Sequence, residues 1–136
     1  MSPFHLAFPV RDLDETRRFY ADVLGCRIGR SSGTWVDFDL FGHQMSAHRV
    51  AASGGSSGSV DGVGVPIPHF GVVLTMDEWE ALAARLEKLD GIDWIHRPMV
   101  RFKGEPGEQA TFFIRDPSGN ALEFKGFRSL EAVFEA

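Results

Sequence analysis

The sequence predicts an α+β fold made of two copies of a β-α-β-β-β module. Two observations carry this expectation, and a third gives its scale. Two short apolar strand patterns, Phe4–Val10 and His69–Leu74, each run directly into a helix start of the capping-box type, Asp12-Leu13-Asp14-Glu15 and Thr75-Met76-Asp77-Glu78. Each helical pattern stops at a glycine, Gly25 and Gly91, and is followed by further short strand patterns. The spacing also agrees: Asp12 lies seven positions after His5, and Thr75 six positions after His69.

In the first module, Phe4–Val10 alternates, with His5 and Ala7 on one face and Phe4, Leu6 and Phe8 on the other. The helix after Asp12 runs to about Leu24 and places Leu13, Phe19, Tyr20, Val23 and Leu24 at helical spacing. Strands are expected at Cys26–Arg30, Trp35–Leu40 and Gln44–Val50, with Phe41-Gly42-His43 as a turn. In the second module, the helix after Thr75 carries Trp79, Leu82, Ala83, Leu86 and Leu89. Ile92–His96 is a strand, and Arg101–Gln109 is a polar loop. The module closes with a strand, Thr111–Ile114, the turn Asp116-Pro117-Ser118-Gly119-Asn120, and a last strand from Ala121.

The modules span about 1–50 and 69–127 of a single 136-residue domain. Residues 51–68, AASGGSSGSVDGVGVPIP, are rich in Gly and Ser. Such a segment is a flexible linker or a loop that orders over a site, and the composition puts the linker first. Net charge is −5, which argues against a general nucleic-acid binder. No apolar run is long enough to span a bilayer, and the N-terminus lacks a basic segment followed by an apolar one. The single cysteine, Cys26, excludes an intramolecular disulfide and fits a cytoplasmic protein.

Three residues stand out chemically. Glu123 lies in mid-strand between Leu122 and Phe124, where a carboxylate is exposed, paired or bound to a cation. His5 and His69 occupy matching places at the start of each module.

The segments FHLAFPVRDLDETRRFYADVLG, PHFGVVL and RDPSGNALEF resemble the vicinal oxygen chelate superfamily, which holds glyoxalase I, extradiol dioxygenases, and fosfomycin- and bleomycin-resistance proteins. GHQMSAH and RFKGEPGEQATFF are similar to a group described as small relatives of catechol extradiol dioxygenases. The resemblance implies metal ligands on the first strand of each module and on the last strand of the second. Carried over, these are His5, His69 and Glu123. Two imidazoles and a carboxylate with open positions suit non-haem Fe(II), and also Zn, Ni or Mn. The expected activity is extradiol-type oxygenation of a small oxygenated substrate. A glyoxalase-like lyase or isomerase, or a drug-binding resistance protein without catalysis, are the alternatives.

The tyrosine that extradiol enzymes place ten residues before the glutamate is replaced by Phe113, and Tyr20 reads as core. His48 lies near the place where glyoxalase I supplies a fourth ligand; it reads as an acid–base group beside the metal, a ligand or a surface residue. Arg101 and Lys103 flank Phe102 and are candidates to bind a substrate carboxylate. His43 reads as a solvated turn residue and His96 as strand-end polarity. The resemblance implies a homodimer, since members of this length often combine modules of two chains into half-barrels.

Overall fold

The computed structural model describes residues 2–51, 56–60 and 63–135, with the backbone alone for 56–60 and 63. It contains two βαβββ modules, an α+β architecture. The chain groups into two compact units, Met1–Gly55 with Asp116–Asn120, and Ser56–Arg115 with Ala121–Ala136.

The first module comprises β1 (His5–Val10), α1 (Leu13–Arg17), β2 (Arg27–Ser31), β3 (Trp35–Leu40) and β4 (His43–Arg49). Its sheet has the order β1-β4-β3-β2, with β1 parallel to β4 and the other pairs antiparallel. Asp12 caps α1 by accepting from the Glu15 N–H at 2.8 Å. The reciprocal half of the expected box is absent, because the Glu15 carboxylate turns to the Arg11 guanidinium at 2.5 Å. After Arg17 the helix widens into a π-helical stretch, Arg18–Val23, rather than continuing as the expected α-helix. The core comprises Phe8, Val36, Phe38, Met45 and Ala47 of the sheet and Tyr20 of the helix, whose ring stacks 5.1 Å from Phe38. Cys26 is buried, and burial, followed by the nearby Asp39, pushes its thiol up to about 12. It therefore remains a neutral thiol and supplies neither a nucleophile nor a thiolate ligand near neutral pH.

The second module repeats the order with β7 (Phe70–Thr75), α2 (Met76–Glu87), β8 (Asp93–Arg101), β9 (Gln109–Arg115) and β10 (Ala121–Phe127), after β5 (Ser56–Val60) and β6 (Val63–Ile67). The sheet order, β7-β10-β9-β8, matches the first. The Thr75–Glu78 capping box is complete. Leu122, Phe124 and Gly126 face α2: a Cβ on Gly126 would come 2.7 Å from Trp79, whose indole N–H donates to the Phe124 carbonyl at 2.9 Å. Glu123 therefore projects from the opposite face, away from the helix. The β8 strand runs well beyond the expected Ile92–His96, with register shifts on either side of His96.

The flexible-linker expectation for residues 51–68 requires correction. The β5 and β6 strands pair antiparallel, Ser56 with Ile67 through Val60 with Val63. Val63, Val65 and Ile67 alternate with Gly64 and Pro66, a two-residue period masked by the Gly/Ser composition. Residues 52–55 and 61–62 of that segment lie outside the described residues.

Candidate functional site

In the second unit the residues facing away from α2 converge on Glu123. Register places Glu123 opposite Phe113 on β9 and Gly71 on β7. A Cβ on Gly71 would come 1.5 Å from the Glu123 carbonyl oxygen, so glycine lets the two backbones approach. Glu123 is only 7% exposed. Its Oε2 accepts from the fully buried Thr111 hydroxyl at 2.6 Å, and its Oε1 lies 3.1 Å from His69 Nε2. The carboxylate is thus neither solvated nor unpaired.

His69 immediately precedes β7, and its Nδ1 lies 2.7 Å from the Pro66 carbonyl. A carbonyl only accepts, so Nδ1 carries the proton and Nε2 is the nitrogen turned toward Glu123. Nε2 and Oε1 thus face one another across a gap that a cation can bridge. Two cis ligands about 2.1 Å from one metal ion stand about 3 Å apart, so the observed pair fits a divalent cation.

The Phe113 ring meets His69 edge-on at 5.1 Å and His96 edge-on at 5.4 Å. His96, expected as strand-end polarity, instead lies mid-strand opposite Phe113, and its Nε2 contacts the Gly64 carbonyl at 2.5 Å. Its signal in the sequence is Pro98, two residues on, which interrupts ladder pairing and marks an irregular strand. Two imidazoles of this face are therefore bonded to carbonyls of β6.

In the first unit, the sheet face opposite the helix is polar. Register aligns His5 with Gln44 and Asp39, Ala7 with Ser46 and Asp37, and Pro9 with His48 and Trp35. His5 Nδ1 lies 2.9 Å from Gln44 Oε1. The other end of that amide, Nε2, donates to Asp37 Oδ2 at 3.2 Å, and Ser46 donates to Asp37 Oδ1 at 2.5 Å. A cavity of about 580 Å³ opens here, lined by Arg27, Trp35, Asp37, Asp39 and Gln44 among others.

The three ligand candidates are thus placed as His5 in the first unit and His69 with Glu123 in the second. Among the described residues no group of three His, Cys, Asp or Glu is gathered that could hold a metal. His48 is exposed on β4. The register counterpart of Glu123 in the first module is Ser46, since Ala7 pairs with Ser46 as Gly71 pairs with Glu123. Arg101 ends β8 opposite Gln109, four residues along β9 from Phe113, with its guanidinium over the Phe102 ring at 5.5 Å, and Lys103 is exposed in the following loop. His43 is half-buried, and its Nδ1 accepts from the Phe4 N–H at 2.8 Å, so it ties β4 to the N-terminal segment rather than standing free in a turn. Tyr20 is fully buried and donates to Asp116 Oδ2 at 2.9 Å, far from a substrate role.

The model of the glyoxalase/bleomycin resistance protein/dioxygenase superfamily matches residues 2–124. The chain belongs to that superfamily. A glyoxalase/bleomycin resistance protein/dioxygenase from Alicyclobacillus acidocaldarius is 33% identical, with a TM-score of 0.81 over 98% of this chain and 96% of that one. The fosfomycin resistance protein FosX from Listeria monocytogenes is 15% identical, with a TM-score of 0.67 over 97% and 95%. A lactoylglutathione lyase from Agrobacterium tumefaciens is 24% identical, with a TM-score of 0.61 over 93% and 94%. The last two share the fold. Among curated proteins none matches this chain significantly. No helix among the described residues is long and apolar enough to cross a membrane.

Proposed function

We propose that this chain is a metal-dependent enzyme in which His5, His69 and Glu123 hold a divalent cation, Fe(II) first and Zn, Ni or Mn as alternatives. The observation that carries the reading is the pairing of His69 Nε2 with the buried Glu123 carboxylate at 3.1 Å, with Nδ1 already bonded to the Pro66 carbonyl. A bound cation would supply Lewis-acid polarisation of two adjacent substrate oxygens. The protein's own contribution is orientation: Thr111 fixes one Glu123 oxygen, Pro66 fixes the His69 ring, and buried Phe113 keeps water from the side of the site it fills. The proposed reaction is extradiol-type oxygenation. Phe113 favours a second reading, a glyoxalase-like isomerisation, because it offers no hydroxyl to a catechol from the position opposite Glu123.

Glu123→Gln keeps the shape and removes the charge that offsets the cation. Metal content should fall at least tenfold with the fold retained. Oxygen uptake with a catechol panel supports the first reading; isomerisation of a hemithioacetal without oxygen uptake moves the enzyme to the second. Unchanged metal content removes Glu123 from the site. A homodimer with two equivalent sites belongs to this proposal, and a monomer in sedimentation that keeps its metal would overturn that part.

A further inference from the structure

We infer that Asp37 and Gln44 are positioning residues for His5: Asp37 sets which way the Gln44 amide faces, and the amide sets which His5 nitrogen is free to bind. The inference rests on the ligand role proposed for His5. A carboxylate can only accept, so the Gln44 end bonded to Asp37 Oδ2 at 3.2 Å is the NH₂ group. The opposite end, the carbonyl oxygen Oε1, then faces His5 Nδ1 at 2.9 Å. That nitrogen must donate, which leaves the lone pair on Nε2. Ser46 completes the chain by donating to the other Asp37 oxygen at 2.5 Å, and this holds the carboxylate in plane with the amide's needs. Asp37 is thus the acceptor that holds the amide against turning over.

Reversal of the chain tests this. In Asp37→Asn, the Ser46 hydroxyl continues to donate to the side-chain oxygen, so the new NH₂ group faces Gln44. The Gln44 oxygen then turns to that NH₂ group, its own NH₂ turns to His5, and His5 Nδ1 becomes the acceptor with the proton on Nε2. In Asp37→Asn with Gln44→Glu, the carboxylate at 44 accepts from both sides and restores the proton to Nδ1 at unchanged net charge. Imidazole ¹⁵N shifts of metal-free protein, with His5 assigned from the spectrum of His5→Ala, report the tautomer directly. Zn(II) affinity of the full chain reports its consequence.

Expected are an exchange of the two His5 nitrogen signals and an affinity loss of about 10- to 100-fold in the single variant. The double variant should return both to the wild-type values. Gln44 is exposed, so Gln44→Leu supplies the same two readouts if Asp37→Asn does not fold. An unchanged tautomer and affinity in the single variant, with Zn(II) binding lost in His5→Ala, overturns the positioning role and leaves the ligand set intact. Full Zn(II) binding by His5→Ala overturns the ligand role on which it rests.

Discussion

The two modules solve one problem in different ways. Each presents a histidine at the start of its first strand, and each fixes the Nδ1 side of that ring. The first module does so with side chains, Gln44 and Asp37, whereas the second uses the backbone carbonyl of Pro66, outside the module itself. The acid also changes place. The first module carries Asp37 on β3 opposite Ser46 on β4, while at the corresponding rung the second carries Phe113 on β9 opposite Glu123 on β10. A repeated scaffold thus yields two non-equivalent faces. Point substitutions can retune the first, but the second depends on where β6 lies.

The largest effect should come from the place where the copies differ in backbone spacing. Ala7 and Gly71 occupy corresponding rungs, yet only the glycine is pressed against the neighbouring strand, at Glu123. Gly71→Ala requires the backbone to move and should cost about 3 kcal/mol or more in denaturant unfolding. Ala7→Gly should cost only about 0.5–1 kcal/mol, the usual effect of glycine in a strand. Equal losses would show that the close approach at Gly71 is relaxed in solution.

That glycine also shows what the sequence could and could not convey. Strand alternation and the cap at Thr75 placed β3 at its observed boundaries and α2 at its observed start because each signal is local, whereas α2 ends at Glu87 and leaves Leu89 exposed, short of the stop expected at Gly91. In the sequence Gly71 shows only as a small residue, because its real constraint is an interstrand distance set by pairing. His96 and Pro66 were missed for the same reason: their roles depend on a contact 30 or so residues away or on a carbonyl that every residue possesses. Glu123 announced itself because burying a carboxylate in mid-strand demands partners. The π-helical stretch has no such local mark, since its residues fit an α-helix equally well.

An intermediate effect is expected where each module anchors its helix with one aromatic polar atom. Tyr20 donates to the Asp116 carboxylate, and Trp79 donates to the Phe124 carbonyl. Tyr20→Phe should cost about 1–2 kcal/mol, since Asp116 keeps donors from Ser118 and Asn120. Burial first, then Asp116, holds the Tyr20 hydroxyl well above its ordinary value of 10.0. The folded state therefore favours the protonated phenol. Its contribution is complete below pH 10 and is lost as pH rises beyond it, where the unfolded chain ionises first. Stability measured from pH 8 to 11 should decline less steeply in Tyr20→Phe than in wild type. Trp79→Phe should leave the slope unchanged, because indole does not titrate in this range. Parallel slopes for wild type and Tyr20→Phe would show that the hydroxyl is solvated.

The smallest effect concerns the bond that holds β6 beside the second module. His96 Nε2 contacts the Gly64 carbonyl and His69 Nδ1 contacts the Pro66 carbonyl, so alternate residues of one strand are bound by two imidazoles. His96→Phe keeps a ring against Phe113 and removes only the donor to Gly64. Global stability should fall by no more than about 1 kcal/mol, the net worth of one hydrogen bond. The change should appear locally, as faster amide exchange at Val65 and Ile67 with the β7–β10 ladder unaffected. Because Pro66 lies between those residues and orients His69, the variant should also bind Zn(II) more weakly, by a few-fold rather than the tenfold or more expected for Glu123→Gln. Faster exchange with unchanged affinity would mean that Pro66 alone suffices to orient His69. Unchanged exchange would mean that the Gly64 contact contributes nothing to holding the strand, and the contrast between a side-chain support and a strand-borne one would then rest on His69 alone.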